Sequence, residues 1–426
     1  MQIIQYPDRN TWKSILQRPV KSFEEIEKSV APVLEAVKNH GDKALIELTE
    51  KFDKVKINTL QVSEDDIEAA ATKISPELKN ALNIAYSNIQ KFHSAQNTTV
   101  EKVETMPGVV CWRKSVGIEK VGFYIPGGTA PLFSTILMLA IPAKLAECSE
   151  MILCTPPDLS GNIHPAILYT AKLCGINKIY SVGGSQAIAA MAYGTETIPQ
   201  VYKIFGPGNQ YVMAAKQMVN MQGTAIDMPA GPSEVAVIAD KSAVPAFVAA
   251  DLLSQAEHGS DSQVILVSTS REVIDEVMIE TEKQLQLLPR LNFASKALEN
   301  SKAILVNNIA EAIEIINAYA PEHLIVATEN AEQDSEKITN AGSIFLGNYT
   351  PEAAGDYASG TNHTLPTNGY ARAYSGVSLD SFYKKITVQS ISPEGLRNIG
   401  KTVEVMAANE ILEAHRNAVS IRLKSL

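Results

Sequence analysis

The spacing of apolar and polar positions divides the chain into a helical first part, a central part of alternating strands and helices, and a helical end. Between Ser22 and Gln96, stretches such as FEEIEKSVAPVLEAVKNHG place apolar residues at helical spacing. That stretch ends at Gly41, a residue that commonly terminates helices. We therefore predict that this first part forms a helical cover over the rest of the protein.

Short apolar runs bounded by glycine alternate with amphipathic stretches from Glu119 onward. A first group of predicted strands comprises KVGFYIP, MILCTPP, KIYSVGG and VYKIFGPG, and a second comprises EVAVIAD, QVILVST, AILVNN and HLIVATE. Strands that alternate with helices of this length are typical of parallel α/β units. The first group ends near Met228 and the second near Gly347, which predicts two α/β domains. From about Ser378 the pattern returns to helix and predicts a separate terminal arm.

Length and charge restrict the class of protein. A chain of 426 residues with 45% hydrophobic residues is too long for one ordinary core. The formal net charge of −10 argues against binding to nucleic acid or to an anionic membrane surface, because both need concentrated positive charge. We therefore expect small-molecule partners, with no nucleic acid.

Neither the N-terminus nor any apolar run resembles a targeting or membrane segment. The first residues, MQIIQYPDRN, lack a basic region followed by an apolar core. The longest apolar stretch, Ala130 to Ala143, contains two prolines and is too short to span a bilayer. We expect a cytoplasmic protein with no membrane segment.

The four cysteines, Cys111, Cys148, Cys154 and Cys174, contain no C-x-x-C pair. This pattern favours reduced, buried and unreactive thiols over disulfides or a thiolate metal site. The alternative is a thiol nucleophile that traps an aldehyde, and Cys154 is the candidate for it.

Three glycine turns follow predicted strands and open predicted helices: Gly127-Gly128, Gly183-Gly184 and Gly206-Pro207-Gly208. Glycine lets the backbone approach a phosphate, and a helix N-terminus offers free N–H donors. Each turn alone is also explained as the simple closure of a strand-to-helix connection, since none completes G-x-G-x-x-G. Three such turns in one domain favour a nucleotide cofactor.

A candidate metal site lies in the segment AADLLSQAEHG. Gln255 and His258 are three residues apart near the end of a predicted helix, so their side chains share a face and suit zinc or a similar divalent ion. Asp356, His363 and His415 are further candidates. The alternative is that Gln255 and His258 are solvated or capping groups, which is common near helix ends.

A candidate acid/base pair is Glu322-His323, at the entry to a predicted strand. Consecutive strand residues point to opposite faces, so both side chains reach one pocket only if the strand begins after Glu322. The preceding Pro321 favours that arrangement. The alternative is a surface glutamate beside a half-buried histidine.

Together these segments resemble the histidinol dehydrogenase family. The run IDMPAGPSEVAVIADKSAVPAFVAADLLSQAEHG, from Ile226 to Gly259, is similar to that family's long signature. The resemblance extends over nearly the whole chain, through FYIPGG, GGSQAIAA, GPGNQYV, APEHL, GDYASGTNHTLPT, SGVSLDSFYK and a C-terminal E-x-x-x-x-H. Thr364 stands where an aliphatic residue is expected, which affects no site residue.

The resemblance implies a role for each matched residue. It implies a catalytic pair, Glu322 and His323, and one Zn²⁺ per subunit held by Gln255, His258, Asp356 and His415. It implies NAD⁺-binding positions at Tyr124, Gln186 and Asn209. Positions that contact L-histidinol are implied at Ser233, Gln255, His258, His323, Asp356, His363, Glu410 and His415.

The same resemblance implies an α/β fold with two incomplete Rossmann-like domains, a helical N-terminal segment and a C-terminal helical arm. The implied boundaries are an N-terminal segment at 1–19, a larger domain at 20–128 plus 235–375, a smaller nucleotide-binding domain at 129–234, and an arm at 376–426. It further implies a homodimer with shared active sites, in which the arm carries Glu410 and His415 into the partner's site.

The implied reaction oxidises L-histidinol through an aldehyde to a carboxylic acid with two NAD⁺ and one water. On this hypothesis His323 takes the alcohol proton, Glu322 activates water, and Glu410 helps to hold the substrate. Two alternatives are a zinc hydrolase that uses Glu322 and a metal-bound water, and an α/β binding module without catalysis. The glycine turns count against the hydrolase.

Overall fold

The computed structural model of the chain describes residues 1–19, 23–97, 99–127 and 130–426. Gly128 of the first predicted glycine turn lies outside these residues. The described strands are β1 (Gln2–Gln5), β2 (Lys102–Met106), β3 (Val109–Gly117), β4 (Lys120–Tyr124), β5 (Glu150–Thr155), β6 (Lys178–Ser181), β7 (Lys203–Phe205), β8 (Ala225–Ile226), β9 (Glu234–Ala239), β10 (Gln263–Ser268), β11 (Lys302–Leu305), β12 (His323–Ala327), β13 (Ser343–Leu346) and β14 (Tyr383–Ile391).

The described helices are α1 (Trp12–Ile15), α2 (Phe23–Asp53), α3 (Glu64–Ala69), α4 (Pro76–Ser94), α5 (Phe133–Leu145), α6 (Pro165–Cys174), α7 (Gly184–Tyr193), α8 (Gln210–Met221), α9 (Pro245–Ala256), α10 (Arg271–Leu285), α11 (Leu291–Glu299), α12 (Ile309–Tyr319), α13 (Ala331–Ser335), α14 (Glu352–Tyr357), α15 (Pro393–Asn409) and α16 (Glu413–Lys424). Within the described ranges, no helix is both long enough and apolar enough to cross a membrane.

Two parallel sheets share one strand order. The five-stranded sheet runs β6-β5-β4-β7-β8, and the six-stranded sheet runs β1-β11-β10-β9-β12-β13. In each, a central strand (β4 or β9) has the next two strands on one side and the following two on the other, which is the Rossmann order 3-2-1-4-5-6 without its sixth strand. The predicted α/β class is confirmed.

Helices cover both faces of each sheet. In the six-stranded sheet, β9 and β10 are buried throughout and read as continuous apolar runs, as expected of strands covered on both sides. Helices α9, α10 and α11 pack on one face, and α1 and α12 pack on the other.

The predicted helical cover lies on the five-stranded sheet. Helix α2 packs with α7 and α8 on one face, while α3 and α4 pack with α5 and α6 on the other. Gly41 interrupts α2 with a φ of 51°, in agreement with the predicted helix end. The predicted domain boundaries stay a prediction; β4, which precedes residue 129, is the central strand of the five-stranded sheet.

The prediction of an all-helical end was wrong in one respect. Residues 383–391 form β14, which pairs antiparallel with β3 in a three-stranded sheet ordered β14-β3-β2. The β-branched residues of this segment suit a strand, and the partner strand lies far away in the sequence. The rest of the arm is helical as predicted and forms α15 and α16, with Ile411 between them at a φ of 61°.

Candidate active site

Glu322 and His323 lie at the amino end of β12. Helix α12 ends at Ala320, whose φ is 55°, and the strand begins only at His323. Glu322 therefore lies just before the strand, where side chains do not yet alternate between the two faces of the sheet. Its Oε2 lies 3.7 Å from Nδ1 of His323. Both side chains are buried. The predicted condition, a strand that begins after Glu322, is confirmed.

The backbone of Glu234 holds both members of this pair. Its N–H donates to Oε2 of Glu322 at 2.9 Å, and its carbonyl oxygen lies 3.2 Å from Nδ1 of His323. Because a carbonyl only accepts, Nδ1 carries a proton and donates to it. The neutral imidazole then has its lone pair on Nε2, which faces the interior of the site.

A buried ion pair anchors Glu234 from behind. Arg18 donates from Nε at 2.5 Å and from Nη2 at 2.8 Å to the two carboxylate oxygens of Glu234. The same guanidinium lies over the ring of Tyr319 at 4.0 Å and donates to the carbonyl oxygen of Tyr319. The N–H of Asn368 also donates to Glu234. The sequence analysis missed this network.

Two carboxylates of helix α14 face Nε2 of His323. Oδ1 of Asp356 lies 3.5 Å from that nitrogen, and Oε1 of Glu352 lies 3.8 Å from it. The three side chains are close enough to hold a metal ion, with ligand atoms within 4.8 Å of one another. Glu352 was also missed, although it precedes Asp356 by four residues, a spacing that places both on one helix face.

Gln255, at the end of α9, contacts this cluster directly. Its Nε2 donates to Oε1 of Glu352, while the hydroxyl of Ser254 donates to Oε2 at 2.7 Å. Among the described residues, Oε1 of Gln255, Oδ1 of Asp356 and Nε2 of His323 are buried atoms without a hydrogen-bond partner. Buried polar atoms normally have hydrogen-bond partners, so three buried polar atoms without partners in one place fit a bound cation or substrate.

His258 and His363 flank Asp356. His258 follows the end of α9, with its backbone N–H donating to the carbonyl oxygen of Gln255 at 3.2 Å. His363 lies with Nδ1 2.8 Å from the backbone oxygen of Asp356 and Nε2 3.0 Å from the hydroxyl of Thr135. Burial lowers the pKa of both imidazoles, and the charge of Asp356 opposes that shift. His258 remains exposed to solvent, although neighbouring protein atoms surround its ring.

The other predicted substrate positions are Ser233, Glu410 and His415, and only Ser233 lies near the catalytic pair. Ser233 directly precedes β9, and its carbonyl oxygen accepts from the N–H of Gln263 at 3.2 Å, at the same sheet edge as the catalytic pair. Glu410 and His415 are exposed on the terminal arm. In the described part of the chain, no hydrogen bond or ion pair joins them to the site, and α15 packs on α16, β2 and β14 instead.

The clustered charges shift the pKa values inside the site. Burial raises the pKa of Glu322 to about 8, although His323 opposes it. Burial alone lowers the pKa of His323, but Glu322 and Asp356 outweigh it and raise the value to about 10. Burial raises the pKa of Glu352 to about 8, with a further contribution from Asp356. Burial opposes ionisation of Asp356, but the nearby imidazoles of His323 and His363 together outweigh it and lower the pKa.

A separate cavity of about 970 Å³ lies at the carboxyl edge of the five-stranded sheet. Tyr124, Gln186 and Asn209, the three predicted cofactor positions, all line it, together with Gly127 and Gly184. The hydroxyl of Tyr124 accepts from the N–H of Gly184 at 3.1 Å. The carboxyl edge of such a sheet is where nucleotides bind in this class of fold.

Local structure explains how these residues reach the cavity. Tyr124 ends β4, Gln186 lies in the first turn of α7, and Asn209 caps α8 by accepting from the N–H groups of Tyr211 and Val212. At Gly206 the φ is 129°, and a Cβ would meet the backbone oxygen of Tyr124 at 2.0 Å. Only glycine fits this turn.

Helix α5 lies between the cavity and His363. Pro131, just before this helix, lines the cavity, and Thr135 in its first turn contacts His363. Helix α5 thus links the cavity at the carboxyl edge of the five-stranded sheet with the buried cluster.

The alternative of a cysteine nucleophile is contradicted. Cys154 is fully buried in β5, and burial raises the pKa of its thiol strongly. A thiolate is the reactive form, so this sulfur is unreactive. The four cysteines are free thiols, and three of them are buried.

The fold and the site together are those of an α/β oxidoreductase. Residues 16–423 match the family model described as histidinol dehydrogenase. The chain is 61% identical over 426 residues to the histidinol dehydrogenase of Bacteroides thetaiotaomicron, with all of both chains covered. It is 54% identical over 416 residues to that of Vibrio parahaemolyticus, covering 97% of this chain and 96% of the relative.

A solved structure agrees with these sequence matches. The crystal structure of histidinol dehydrogenase from Elizabethkingia anophelis superposes with a TM-score of 0.97 at 58% identity, covering 100% of this chain and 98% of that one. This chain belongs to the histidinol dehydrogenase family.

Proposed function

We propose that this protein oxidises L-histidinol through L-histidinaldehyde to L-histidine, the last step of histidine biosynthesis, with two NAD⁺ as hydride acceptors. One observation carries the proposal: helix α5 borders a cofactor-sized cavity lined by Tyr124, Gln186 and Asn209, and its Thr135 contacts His363, which lies beside Asp356 in the buried cluster. Two hydrides leave the same substrate carbon in succession, and a water supplies the second oxygen of the carboxylate. Family membership supports this substrate over other alcohols.

Gln255, His258 and Asp356 would hold one zinc ion, with His415 from a second copy of the chain as the fourth ligand. The unpaired oxygens of Gln255 and Asp356 support this assignment, since amide and carboxylate oxygens bind divalent cations. When bound, the cation supplies a Lewis-acid centre that holds the imidazole and amine nitrogens of the substrate.

His323 acts as the base in the alcohol step. Its Nδ1 is occupied by the carbonyl oxygen of Glu234, so Nε2 is the nitrogen that takes the hydroxyl proton as hydride leaves. The carboxylates around it raise its pKa, which favours the protonated form. Positive charge held at Asp356 opposes that rise and moves the imidazole towards the neutral form that a base needs.

Glu322 acts as the base in the aldehyde step. Its Oε2 is fixed by the N–H of Glu234, which leaves Oε1 for a water. A carboxylate whose pKa burial has raised to about 8 is a stronger base than an ordinary glutamate. It takes a proton from water as the oxygen attacks the aldehyde, and the second hydride then leaves to NAD⁺.

We further propose that two copies of the chain form a homodimer with shared sites. Glu410 and His415 lie away from the site of their own chain, on an arm whose Met406, Ile411 and Leu412 are exposed apolar residues. In the homodimer, a second copy of the chain covers these apolar residues. The arm thereby carries Glu410 and His415 into the site of that second copy, where Glu410 contacts the substrate alongside Ser233 and His363.

The predicted domain boundaries and a cytoplasmic location belong to the same proposal. The free cysteines are consistent with a reducing compartment.

The test is NADH formation from L-histidinol by the full chain, followed by absorbance. Enzyme stripped of metal should be folded but inactive, and Zn²⁺ should restore turnover with L-histidine as product. Full activity of the metal-free protein contradicts the metal ligand set. Absence of NADH formation by the zinc-loaded protein contradicts the function and leaves the hydrolase alternative.

A further inference from the structure

Glu352 occupies the centre of the buried cluster, yet neither the acid/base steps nor the metal ligand set uses it. Its side chain is almost completely inaccessible to solvent, at 1% exposure for the residue. Both carboxylate oxygens accept hydrogen bonds, Oε1 from Nε2 of Gln255 and Oε2 from the hydroxyl of Ser254. Burying a charged group costs free energy, so a buried carboxylate with two such specific contacts is expected to have a role.

The side-chain amide of Gln255 has two unlike ends. Its oxygen can bind a cation, whereas its NH₂ group is a donor and cannot. A half-turn about the last side-chain bond exchanges these ends with little change in shape. A glutamine ligand therefore binds metal only if another group fixes which end faces the ion.

Glu352 supplies that fixation. Its carboxylate accepts from the NH₂ end of Gln255, so the amide oxygen faces the opposite way, and there it is buried with no partner among the described residues. Oδ1 of Asp356, one helical turn after Glu352 on α14, is likewise buried and unpaired. The contact between α9 and α14 thus orients one ligand and carries the other.

We propose that Glu352 is a positioning residue that holds Gln255 with its amide oxygen towards the metal and thereby sets the affinity of the site for Zn²⁺. This inference rests on the zinc site of the proposed function. Groups that orient metal ligands in this way typically change metal affinity about 10- to 100-fold when they are replaced.

The competing explanation is that Glu352 binds the ion itself, because Oε1 lies in the compact group with His323 and Asp356. Both of its oxygens already accept hydrogen bonds, whereas Oε1 of Gln255 and Oδ1 of Asp356 have no hydrogen-bond partner among the described residues. The two explanations differ in whether Glu352 acts through Gln255 or independently of it.

A double-mutant cycle separates them. The full-length protein is stripped of metal, and its Zn²⁺ affinity is measured by competition with a chromophoric chelator. The variants are Glu352→Gln, Gln255→Ala and the double variant, with the exposed Glu332→Gln on α13 as the matched control. An amide at position 352 can donate to Gln255, so the ligand amide is free to turn its NH₂ end towards the ion.

The expected results are a zinc affinity about 10- to 100-fold weaker for Glu352→Gln and unchanged for Glu332→Gln. The double variant should bind zinc within about twofold of Gln255→Ala alone, since the positioning effect has then nothing to act on. Unchanged affinity in Glu352→Gln overturns the proposal, as do losses that multiply in the double variant. A wild-type protein that binds no zinc overturns the zinc site itself, a result distinct from either of these.

Ser254→Ala provides a second route in case the cluster variants fold poorly. This change removes one hydrogen bond to Glu352 and leaves Gln255 intact. Its zinc affinity should fall between those of the control and of Glu352→Gln. An affinity equal to that of the control argues that the orientation of Glu352 is irrelevant and contradicts the proposal.

Discussion

Nδ1 of His323 lies 3.2 Å from the backbone carbonyl oxygen of Glu234, and this contact fixes the tautomer of the imidazole. The N–H of the same residue donates to Glu322. One peptide segment at the start of β9 therefore positions both catalytic groups. The side chain of Glu234 is in turn held by Arg18, so the N-terminal segment supports the catalytic pair from outside the site.

Replacing Arg18 by Gln should lower both stability and turnover. Removal of one partner leaves the buried carboxylate of Glu234 uncompensated, which costs about 3–5 kcal/mol of unfolding free energy. The matched control is Arg9→Gln, which removes an exposed pair with Glu314 and should cost less than about 1 kcal/mol. Denaturant unfolding and kcat measure the two effects. Equal losses in the two variants would show that the buried pair does not support the site.

Replacing Glu322 by Gln should impair the second oxidation far more than the first. Gln keeps an oxygen that can accept from the N–H of Glu234 but cannot take a proton from water, so loss of this base costs about 10²–10⁴-fold in the aldehyde step. Turnover is measured separately with L-histidinol and with L-histidinaldehyde. Equal loss with both substrates rules out water activation as the role of Glu322.

Replacing Asp251 by Asn should make stability depend less on pH. Burial raises the pKa of Asp251 on α9 from 3.8 to about 6, although the backbone at Glu352 opposes the shift. Because the pKa in the folded state exceeds the pKa in the unfolded state, ionisation of Asp251 destabilises the fold. This destabilisation is absent below pH 4, grows as the pH rises, and reaches its full size above pH 6. Two pKa units correspond to about 3 kcal/mol at most, reduced by the partial exposure of the side chain.

The measurement is the melting temperature of metal-free Asp251→Asn and wild-type proteins between pH 4 and pH 8. The advantage of the variant should grow between pH 4 and pH 6 and then stay constant. An advantage that shrinks as the pH rises has the opposite sign and contradicts the burial of a carboxylate at this position.

Mixing two inactive variants should restore activity if the sites are shared. In a dimer of His415→Ala with His258→Ala chains, shared sites place both changes in one site and leave the other intact. Random exchange of subunits then returns about a quarter of the wild-type activity. If each chain completes its own site, every site stays defective. Lack of recovery after verified exchange therefore argues against a ligand from the partner.

Local patterns predicted much of the fold and part of the site. Eight of the eleven described strands in the two parallel sheets follow from short apolar runs, whereas β1, β8 and β13 were not predicted. The start of β12 after Glu322 follows from Pro321. Tyr124, Gln186 and Asn209 were implied by the family resemblance, and each lies beside a glycine turn predicted from the sequence. These turns meet at one sheet edge, which explains why the three residues share a cavity. These features depend on residues that are close together in the sequence.

Features that depend on distant contacts could not be predicted in this way. Arg18 and Glu234 are 216 residues apart, and nothing near either residue identifies its partner. The strand β14 is stabilised by β3, which lies more than 250 residues earlier in the sequence. Glu352 is a partial exception, because its spacing of four from Asp356 on a short helix was visible and could have indicated a paired carboxylate site.

The stoichiometry of NADH to L-histidinol tests the proposed function most directly. A limiting amount of L-histidinol is converted to completion by the zinc-loaded protein with excess NAD⁺, and NADH and L-histidine are both quantified. We expect two NADH and one L-histidine for each L-histidinol consumed. One NADH with accumulation of the aldehyde, or no NADH at all, would contradict a four-electron oxidation at the site of Glu322 and His323.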